Sequence, residues 1–460
     1  MHIHLYIRRK RFWPLAGLYL ASCAATVTAQ PPSSQEPSPL AQILERLERL
    51  EQQNRQLVDE VHALRSELAV SRGRPDTPAP ADLAEKLEVH DHRIEELAQT
   101  KVESSQHLPV RLTGIALFNA YLNSHPTGKL VVPVIAPLNG GALSGGATFR
   151  QTILGVEFRG PETFANGKVR GYLNMDFFGG SGEPYDSLIR LRTAAIQVDW
   201  KSTTVMFGQE KPLISPREPN SLAQLGISPL TGAGNLWLWQ PQARIEQRFQ
   251  AGQRTTFRAQ LGVVATREDY GYVPEEYARS LQSTRPALEG RFAVSHTVDD
   301  ERRIEIGAGF HSSTSYVGGF SVPSRAFAVD WFANPWRKLE FSGTFFRGSN
   351  VTNIGAIGQG FTVMSADQII PVHAGGGWAQ LSILATPRLS FNLFGGLQDN
   401  RVRDLGTFGI GANQSYAVNL MYRVASNVIL SLETGQVRTG YLGRGDRLNN
   451  HHDLGFAYLF

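Results

Sequence analysis

The sequence of 460 residues predicts an all-β transmembrane fold, a sixteen-stranded antiparallel β-barrel preceded by an α-helical coiled coil. Three observations predict it. From residue 111 onward, apolar side chains recur at every second position, which is the period of a strand with one apolar face. The linkers between these strands are either tight turns or long loops. Before them lies a leucine-rich heptad repeat, the period of helices that associate with one another.

The alternation is regular along each predicted strand. In 169–178, Val169 and Phe177 lie on one face, and Arg170 and Asp176 lie on the other. Either a β-sandwich or a membrane barrel could show such faces. The predicted strands are 111–122, 149–160, 168–178, 188–200, 203–210, 241–250, 255–266, 287–296, 302–312, 323–333, 337–347, 375–386, 388–398, 413–425, 427–438 and 450–460.

The linkers favour the membrane barrel. WKSTT, QAGQR, TVDDE, ANPWR, TPR and SN are tight turns, whereas 123–148, 211–240, 267–286, 348–374 and 399–412 are long loops. A sandwich has no reason to keep all its tight turns at one end. An outer-membrane barrel has short periplasmic turns and longer outside loops, and its closure leaves no unpaired strand edge in lipid.

The first residues predict export. Four basic residues at 8–11 precede the apolar stretch 12–21, and small residues allow signal-peptide cleavage after Ala29. The tetrapeptide LASC, which ends at Cys23, also fits a lipoprotein box, so lipidation of this single cysteine stays an alternative. Residues 1–29 are therefore predicted to be a signal peptide.

The segment after the signal peptide predicts a stalk. Residues 30–39 form a flexible leader, and 40–107 a periplasmic coiled coil interrupted by the proline-containing break 71–80. Four unbroken heptads favour self-association over the alternative, a single amphipathic helix packed on the rest of the chain. Asn54 at an a position would fix the register. The barrel is then expected to span 108–460.

Charge and motifs narrow the function. Residues 30–107 carry a net charge of −6 and 108–460 a net charge of +6, without the concentrated basic stripe of a nucleic-acid-binding protein. His451, His452 and Asp453 are consecutive, so on a strand they alternate between faces and do not form a metal site. The sequence therefore predicts no catalytic residues, no metal site, no cofactor and no nucleic-acid partner.

Several strand motifs carry a resemblance to a known family. The chain resembles the outer-membrane porins, and more narrowly the trimeric DcaP-like and phosphate-selective porins with an N-terminal periplasmic coiled coil. The motifs are TGIALFNAYL, FRQTILGVEFRG, VRGYLNMDFFGG, LIRLRTAAIQVDW, TTVMFGQEKP and the terminal LGFAYLF.

The resemblance implies a location and partners. It implies the outer membrane of a Gram-negative-type bacterium, with the N-terminal segment in the periplasm and lipid around the barrel. It also implies a homotrimer formed through barrel and coiled coil, recognition of Phe460 by the barrel-assembly machinery, and peptidoglycan as a further candidate partner. The implied function is passive diffusion of small hydrophilic solutes, with anions a candidate class. The alternative functions are a structural barrel that tethers the outer membrane to the cell wall, and a barrel lipase or protease, for which the sequence offers only scattered Ser and His.

The fifth linker, 211–240, is a candidate constriction loop. Porins commonly fold the loop after the fifth strand into the channel, and Lys211, Arg217 and Glu218 would supply charge there. The apolar run LWLW at 236–239 favours this inward position over the alternative, a mobile outside loop.

Charged residues on the polar face predict the lining of the barrel. Acidic residues share that face, so pairing within the wall and anion selection are both open. Arg190 and Arg192 fall on the outer face, which predicts headgroup-level positions, cover by a subunit interface, or a shift of register by a bulge. The basic candidates are Arg170, Arg244, Arg248, Arg258, Arg291 and Arg303, and the acidic residues are Asp176, Glu246, Glu289, Glu305, Asp330 and Glu433.

Overall fold

The structure is a computed structural model. It describes residues 110–128, 130–180, 187–268, 275–278, 286–365, 367–406 and 409–460, together with Gln52 and Gln56, which are helical. The predicted signal peptide, flexible leader and almost all of the predicted coiled coil lie outside the described residues. The described residues from 110 onward belong to one compact unit.

Nineteen strands are present in the described part of the chain. They are β1 (Val110–Asn123), β2 (Ser144–Thr148), β3 (Ile153–Thr163), β4 (Gly167–Gly179), β5 (Leu188–Asp199), β6 (Thr203–Glu210), β7 (Gln240–Ala251), β8 (Thr255–Val264), β9 (Ala287–Thr297), β10 (Arg303–Val317), β11 (Phe320–Trp336), β12 (Leu339–Ser349), β13 (Phe361–Ser365), β14 (Gln368–Pro371), β15 (His373–Thr386), β16 (Leu389–Asn400), β17 (Ile410–Ala425), β18 (Val428–Tyr441) and β19 (Gly445–Leu459). The short helix α1 (Glu275–Ala278) and the 3₁₀ turns Phe164–Asn166, Thr352–Ile354 and Val402–Asp404 lie between them.

The strands close into an antiparallel barrel. β2 and β3 both pair with β1, at its end and its start respectively, so together they fill one place in the wall. β13 and β14 form a separate hairpin. The other strands pair with their neighbours in sequence, and β19 pairs with β1. The wall thus has sixteen places, which confirms the predicted barrel.

Two differences from the predicted strands have local causes. β10 and β11 continue beyond their predicted ends and join at Gly318 and Gly319, because both glycines adopt positive φ (56° and 84°) and permit a tight turn. The predicted strand 149–160 is interrupted at 149–152, where Phe149 is exposed. The hairpin of β13 and β14 lies within 348–374, where a long loop and no strand is predicted, and the other strand ends lie within five residues of their predicted positions.

The two faces of the wall differ in chemistry. Large apolar side chains such as Ile196, Phe207 and Phe292 are more than half exposed on the outer face, where a bilayer would contact them. Inward positions hold small or polar side chains, for example Asn119 and Gln398, which are buried. Among the described residues, no helix has the length and apolar character needed to cross a membrane.

The seam between the last strand and the first has the predicted faces. Leu454, Phe456 and Tyr458 are exposed on the outer side, whereas Ala457 is fully buried on the inner side. Beyond β19, the backbone of Phe460 accepts a hydrogen bond from the N–H of Gly114 (2.9 Å) and donates one to its carbonyl (3.2 Å). The terminal residue therefore extends by one position the pairing of β1 with β19 that closes the barrel.

A β-bulge in β5 corrects the predicted outward position of Arg190 and Arg192. Asn174 pairs with Thr193, and the next residue of β4 pairs with Leu191, so Arg192 is an extra residue. The extra residue reverses the faces beyond it. Both arginines therefore turn toward the interior, and Leu191 is exposed instead.

Candidate functional site

The long segment after β6, residues 211–239, crosses the barrel interior. Near its start, the N–H of Leu213 donates to the carboxylate of Glu289 in β9 (2.7 Å). Further along, the carbonyl of Leu222 accepts a hydrogen bond from the amide of Asn119 in β1 (3.0 Å). The segment, called the inner loop below, thus contacts opposite parts of the wall and occupies the predicted inward position.

Apolar packing also fixes the inner loop. Ile214 and Leu236, near its two ends, are 1% exposed and belong to one buried cluster with Phe346 of β12. Ile354, from the segment after β12, packs in the same cluster. Burial of these side chains stabilises the loop, because removing the apolar surface of each from water contributes about 1.5–3 kcal/mol of free energy.

Acidic residues of the wall bind the inner loop. Arg217 forms ion pairs with Glu305 of β10 (2.8 Å) and Asp330 of β11 (3.0 Å). On the opposite wall, the hydroxyl of Ser221 donates to the carboxylate of Glu433 in β18 (2.5 Å). Four of the six inward carboxylates, those of Glu289, Glu305, Asp330 and Glu433, are therefore occupied by contacts with the loop.

Arg291 of β9 binds the same two acidic residues, Glu305 and Asp330, from the wall. Its guanidinium donates to Asp330 (2.8 Å) and to Glu305 (3.1 Å), and its side chain is 2% exposed. Arg217 approaches the same two carboxylates from the loop. This buried group of two arginines and two acids, the four-residue network, pairs each charge with an opposite one, as burial of charges requires.

The other end of the loop rests on aromatic and cationic groups. The guanidinium of Arg192 lies 4.5 Å from the ring centre of Trp239, and that of Arg190 lies 4.9 Å away. Both arginines also form ion pairs with Asp176 of β4, at 2.8 and 2.7 Å. Trp237 packs edge-on against Trp239. The bulge in β5 thus supplies the two cations that hold this end.

Lys211 and Glu218 pair with each other within the inner loop. Burial alone would raise the pKa of the Glu218 carboxyl, but the ammonium of Lys211, the hydroxyl of Ser228 and the guanidinium of Arg192 lower the pKa below its usual value. Glu218 is therefore a carboxylate that closes the loop on itself.

A polar cavity of about 400 Å³ lies between the start of the inner loop and strands β7–β10. A second cavity, of about 630 Å³, shares Arg258 and Glu305 with it and extends to Lys201 and Ser202 in the tight turn before β6. The two together are called the arginine passage below. The passage leads from the inner loop toward the barrel end that carries the tight turns.

The cavity of about 400 Å³ is called the upper cavity, and that of about 630 Å³ the lower cavity. The lining of the upper cavity is predominantly basic. Its charged residues are Lys211, Arg217, Arg244, Arg258, Arg291 and Arg303 against Glu210, Glu246 and Glu305. Among the described residues, Arg244 and Arg303 have no carboxylate within 4.0 Å, whereas Glu246 is shared by Arg248 (3.6 Å) and Arg258 (3.7 Å). The guanidinium of Arg303 lies 4.8 Å from the ring centre of Phe332. Cationic groups are therefore left to face the passage.

The barrel is similar to a solved structure, the outer membrane channel DcaP of Acinetobacter baumannii. The two chains are 15% identical, the similarity covers 76% of this chain and 97% of that chain, and the TM-score is 0.64. The chain has the fold of the outer-membrane porins. An anion-selective porin from Comamonas acidovorans (11% identity, 76% and 99% covered, TM-score 0.49) and a loop-deletion mutant of OmpT of Vibrio cholerae (10%, 76% and 99%, 0.48) are also similar. No protein-family model and no curated protein matches the sequence.

Within this porin fold, the six predicted arginines do not all come together. Arg244, Arg258, Arg291 and Arg303 line the upper cavity, and Arg248 lines the lower one. Arg170 lines neither cavity and pairs with Asp199 (2.8 Å) on another part of the wall.

Sequence reasoning missed part of the interior. Residues 123–148 are predicted to form a long outside loop, but Val132 and Ala136 are buried, and the N–H of Ala136 donates to Thr439 of β18 (2.8 Å). The apolar run VVPVIAPL at 131–138 is the signal that could have found this contact. Lys201 and Glu210 were also missed, because each lies at a strand end, where the alternation gives no face.

The histidines near the end of the chain lie apart, as their spacing predicts. His451 points inward and bonds the amide oxygen of Asn123 (2.7 Å), whereas His452 is exposed on the outer face beside Thr434. Within the described ranges, no three His, Cys, Asp or Glu side chains come together as metal ligands.

Proposed function

We propose that this chain is an outer-membrane porin that passes small hydrophilic solutes by passive diffusion and prefers anions. One observation carries the proposal. The acidic residues Glu305 and Asp330 are consumed by the four-residue network, while Arg244 and Arg303 face the arginine passage without a carboxylate partner in the described part of the chain. Fixed guanidinium groups attract anions and repel cations.

Removing the two unpaired cations should reduce anion preference. We expect Arg244→Gln/Arg303→Gln to lower the permeability ratio of chloride to potassium toward unity, because the passage would lose two fixed positive charges. The measurement is the reversal potential of single channels in planar bilayers under a potassium chloride gradient.

Arg337→Gln is the matched control, since Arg337 is 71% exposed in the tight turn between β11 and β12 and pairs with Glu301 in the turn between β9 and β10. It should leave the ratio unchanged. A ratio that favours potassium in the unaltered protein would refute anion preference. Absence of conductance from a correctly folded protein would refute the channel function and favour a structural barrel that tethers the membrane to the cell wall.

The remaining features of the proposal concern location and assembly. The chain would lie in the outer membrane after cleavage of the signal peptide, with its coiled coil in the periplasm. It would form a homotrimer through barrel and coiled coil, and the barrel-assembly machinery would insert it. The outward apolar side chains of the wall support the membrane location, and the heptad repeat supports the oligomer.

Deletion of 40–98 separates the two contributions to the oligomer. We expect the shortened protein to form trimers that dissociate at a lower detergent concentration or temperature than those of the full chain, because a self-associating segment raises the local concentration of barrels. Size-exclusion chromatography with light scattering measures the oligomer. Trimers of unchanged stability would show that the coiled coil does not hold them together.

A further inference from the structure

An outward-facing groove of about 750 Å³ lies on the barrel wall at the end that carries the long loops. It crosses β11, β12, β15 and β16 near the ends that lead into the segments 350–372 and 401–409. The large side chains beside it, Phe327 and Phe345, are 52% and 48% exposed, so the groove opens to the surroundings of the barrel and not to its interior. It has no part in the arginine passage.

The strand register explains why a groove forms here. Arg347 of β12 pairs with Gly375 of β15, and Gly375 in turn pairs with Asp399 of β16. Gly377, two residues further along β15, lies on the same outward face as Gly375 and pairs with Phe345. Because glycine has no side chain, the outward face of β15 forms the floor of a groove between the side chains of β12 and β16. A Cβ atom built on Gly375 would have its nearest neighbour at 3.7 Å, so the floor is open.

The groove is polar toward the loops and apolar toward the middle of the wall. Arg325 and Arg347 are exposed near the loops. One step further from the loops, Phe345 pairs with Gly377, and Gly377 pairs with Leu397. An amphiphile with a charged head and a hydrocarbon chain matches this order.

The charge of the groove favours an anion. Among the described residues, Arg325 and Arg347 have no carboxylate within 4.0 Å. His373 bonds Asp404 (2.7 Å), which also lies 3.9 Å from Arg401. The acidic residue in the lining is Asp399, which faces the groove from the side opposite Arg347. Arg325 and Arg347 against the single carboxylate of Asp399 leave the lining positive.

We propose that this groove binds the phosphate-bearing headgroup of a membrane lipid in the leaflet on the long-loop side. Arg325 and Arg347 would donate to the phosphate oxygens through their guanidinium forks, and one acyl chain would lie over Gly377 between Phe345 and Leu397. Guanidinium groups on the outer face of a barrel are costly in mid-membrane hydrocarbon but cost little at headgroup level. The inference rests on the proposed membrane location, and it does not depend on conduction.

Lipid retention by the full-length protein tests the proposal. The purified protein in a nonionic detergent is mixed with dioleoylphosphatidic acid, dioleoylphosphatidylcholine or inorganic phosphate, and bound lipid is counted by native mass spectrometry. We expect the protein to retain phosphatidic acid in preference to phosphatidylcholine. Arg325→Gln/Arg347→Gln should weaken this retention about tenfold or more, because two hydrogen bonds to a charged phosphate are lost.

Three further variants sharpen the test. Gly375→Leu should abolish retention although both arginines remain, because its side chain would occupy the floor, where a Cβ atom has no neighbour closer than 3.7 Å. Asp399→Asn should strengthen retention, because a repelling charge is removed. Arg438→Gln is the matched control. Arg438 of β18 is exposed near the barrel end that carries the long loops, lies outside the groove and pairs with Asp446 (3.9 Å). This variant should retain lipid as the unaltered protein does.

Specific outcomes would overturn the proposal. Equal retention of the two lipids by the unaltered protein would do so. Displacement of phosphatidic acid by millimolar inorganic phosphate would show that the groove binds a free anion and does not recognise a lipid. A change of oligomeric state in Gly375→Leu, with lipid retention unaltered, would instead identify the groove as a contact between copies of the chain. Single-channel conductance of these variants should be unchanged, so a failure here is distinguishable from a failure of the channel function.

Discussion

Arg291→Met should destabilise the barrel interior by about 3 kcal/mol, because breaking a buried ion pair leaves uncompensated charge. The side chain of Arg291 is 2% exposed, as is that of Asp330, and Glu305 is 8% exposed. The expected loss lies at the lower end of the usual range because Arg217 still contacts both carboxylates. Guanidinium-induced unfolding in detergent, followed by tryptophan fluorescence, measures the free energy of unfolding.

The inner loop should be held less firmly to the wall when these arginines are replaced. Arg217→Met/Arg291→Met should increase proteolysis within 211–239 more than either single change, because Glu305 and Asp330 then lose every ion pair that they form within 4.0 Å among the described residues. Arg337→Met, which removes an exposed ion pair, should cost less than about 1 kcal/mol and is the matched control. If Arg291→Met were as stable as Arg337→Met, the four-residue network would not anchor the loop.

Removal of Phe460 should lower the amount of folded barrel in the outer membrane far more than it alters the conductance of the barrels that form. The structure shows two backbone hydrogen bonds between Phe460 and Gly114, and these contribute about 1 kcal/mol each. That loss is too small to unfold a large barrel. We therefore attribute most of the expected effect to recognition by the barrel-assembly machinery. Heat-modifiable mobility of membrane fractions on gels measures folded barrel against total protein.

Refolding without the machinery is the control for this prediction. The shortened protein should refold from urea into detergent micelles with nearly the yield of the full chain, and Phe460→Trp should restore assembly in cells. Gly114→Leu should impair both routes, because its Cβ would lie 2.5 Å from the carbonyl oxygen of Ile153 and 2.6 Å from the ring of Phe460. Equal loss in micelles and in cells after removal of Phe460 would contradict a recognition role and indicate simple loss of seam stability.

Particular residues show how far the sequence predicts the site. Period-two alternation placed Arg244, Arg258 and Arg291 on the inner face, and the structure brings them to one cavity. The same rule failed for Arg190, because a bulge one residue long reverses the faces. It also placed Arg170 with the others, although Arg170 pairs with Asp199 away from that cavity. A face can be inferred from one strand, whereas a position around the wall cannot.

The interior loops show the same limit. The apolar run LWLW at 236–239 predicted that the inner loop lies inside the barrel, since such residues are poorly placed in water. Its partners could not be predicted. Nor did the sequence indicate that Glu305 and Asp330 would be occupied by Arg217 of the loop, which leaves Arg244 and Arg303 to face the passage.

The sequence by itself determined the closed barrel, its sixteen places and the two faces of its wall, because strand period and turn length are local properties of the chain. Only the tertiary structure decided which charges neutralise each other and which stay free. Arg217 and Asp330 are 113 positions apart in the chain, and they meet because the inner loop crosses the lumen. The outer groove likewise needs the register of four strands, since the glycines of β15 form a floor only between the side chains of β12 and β16.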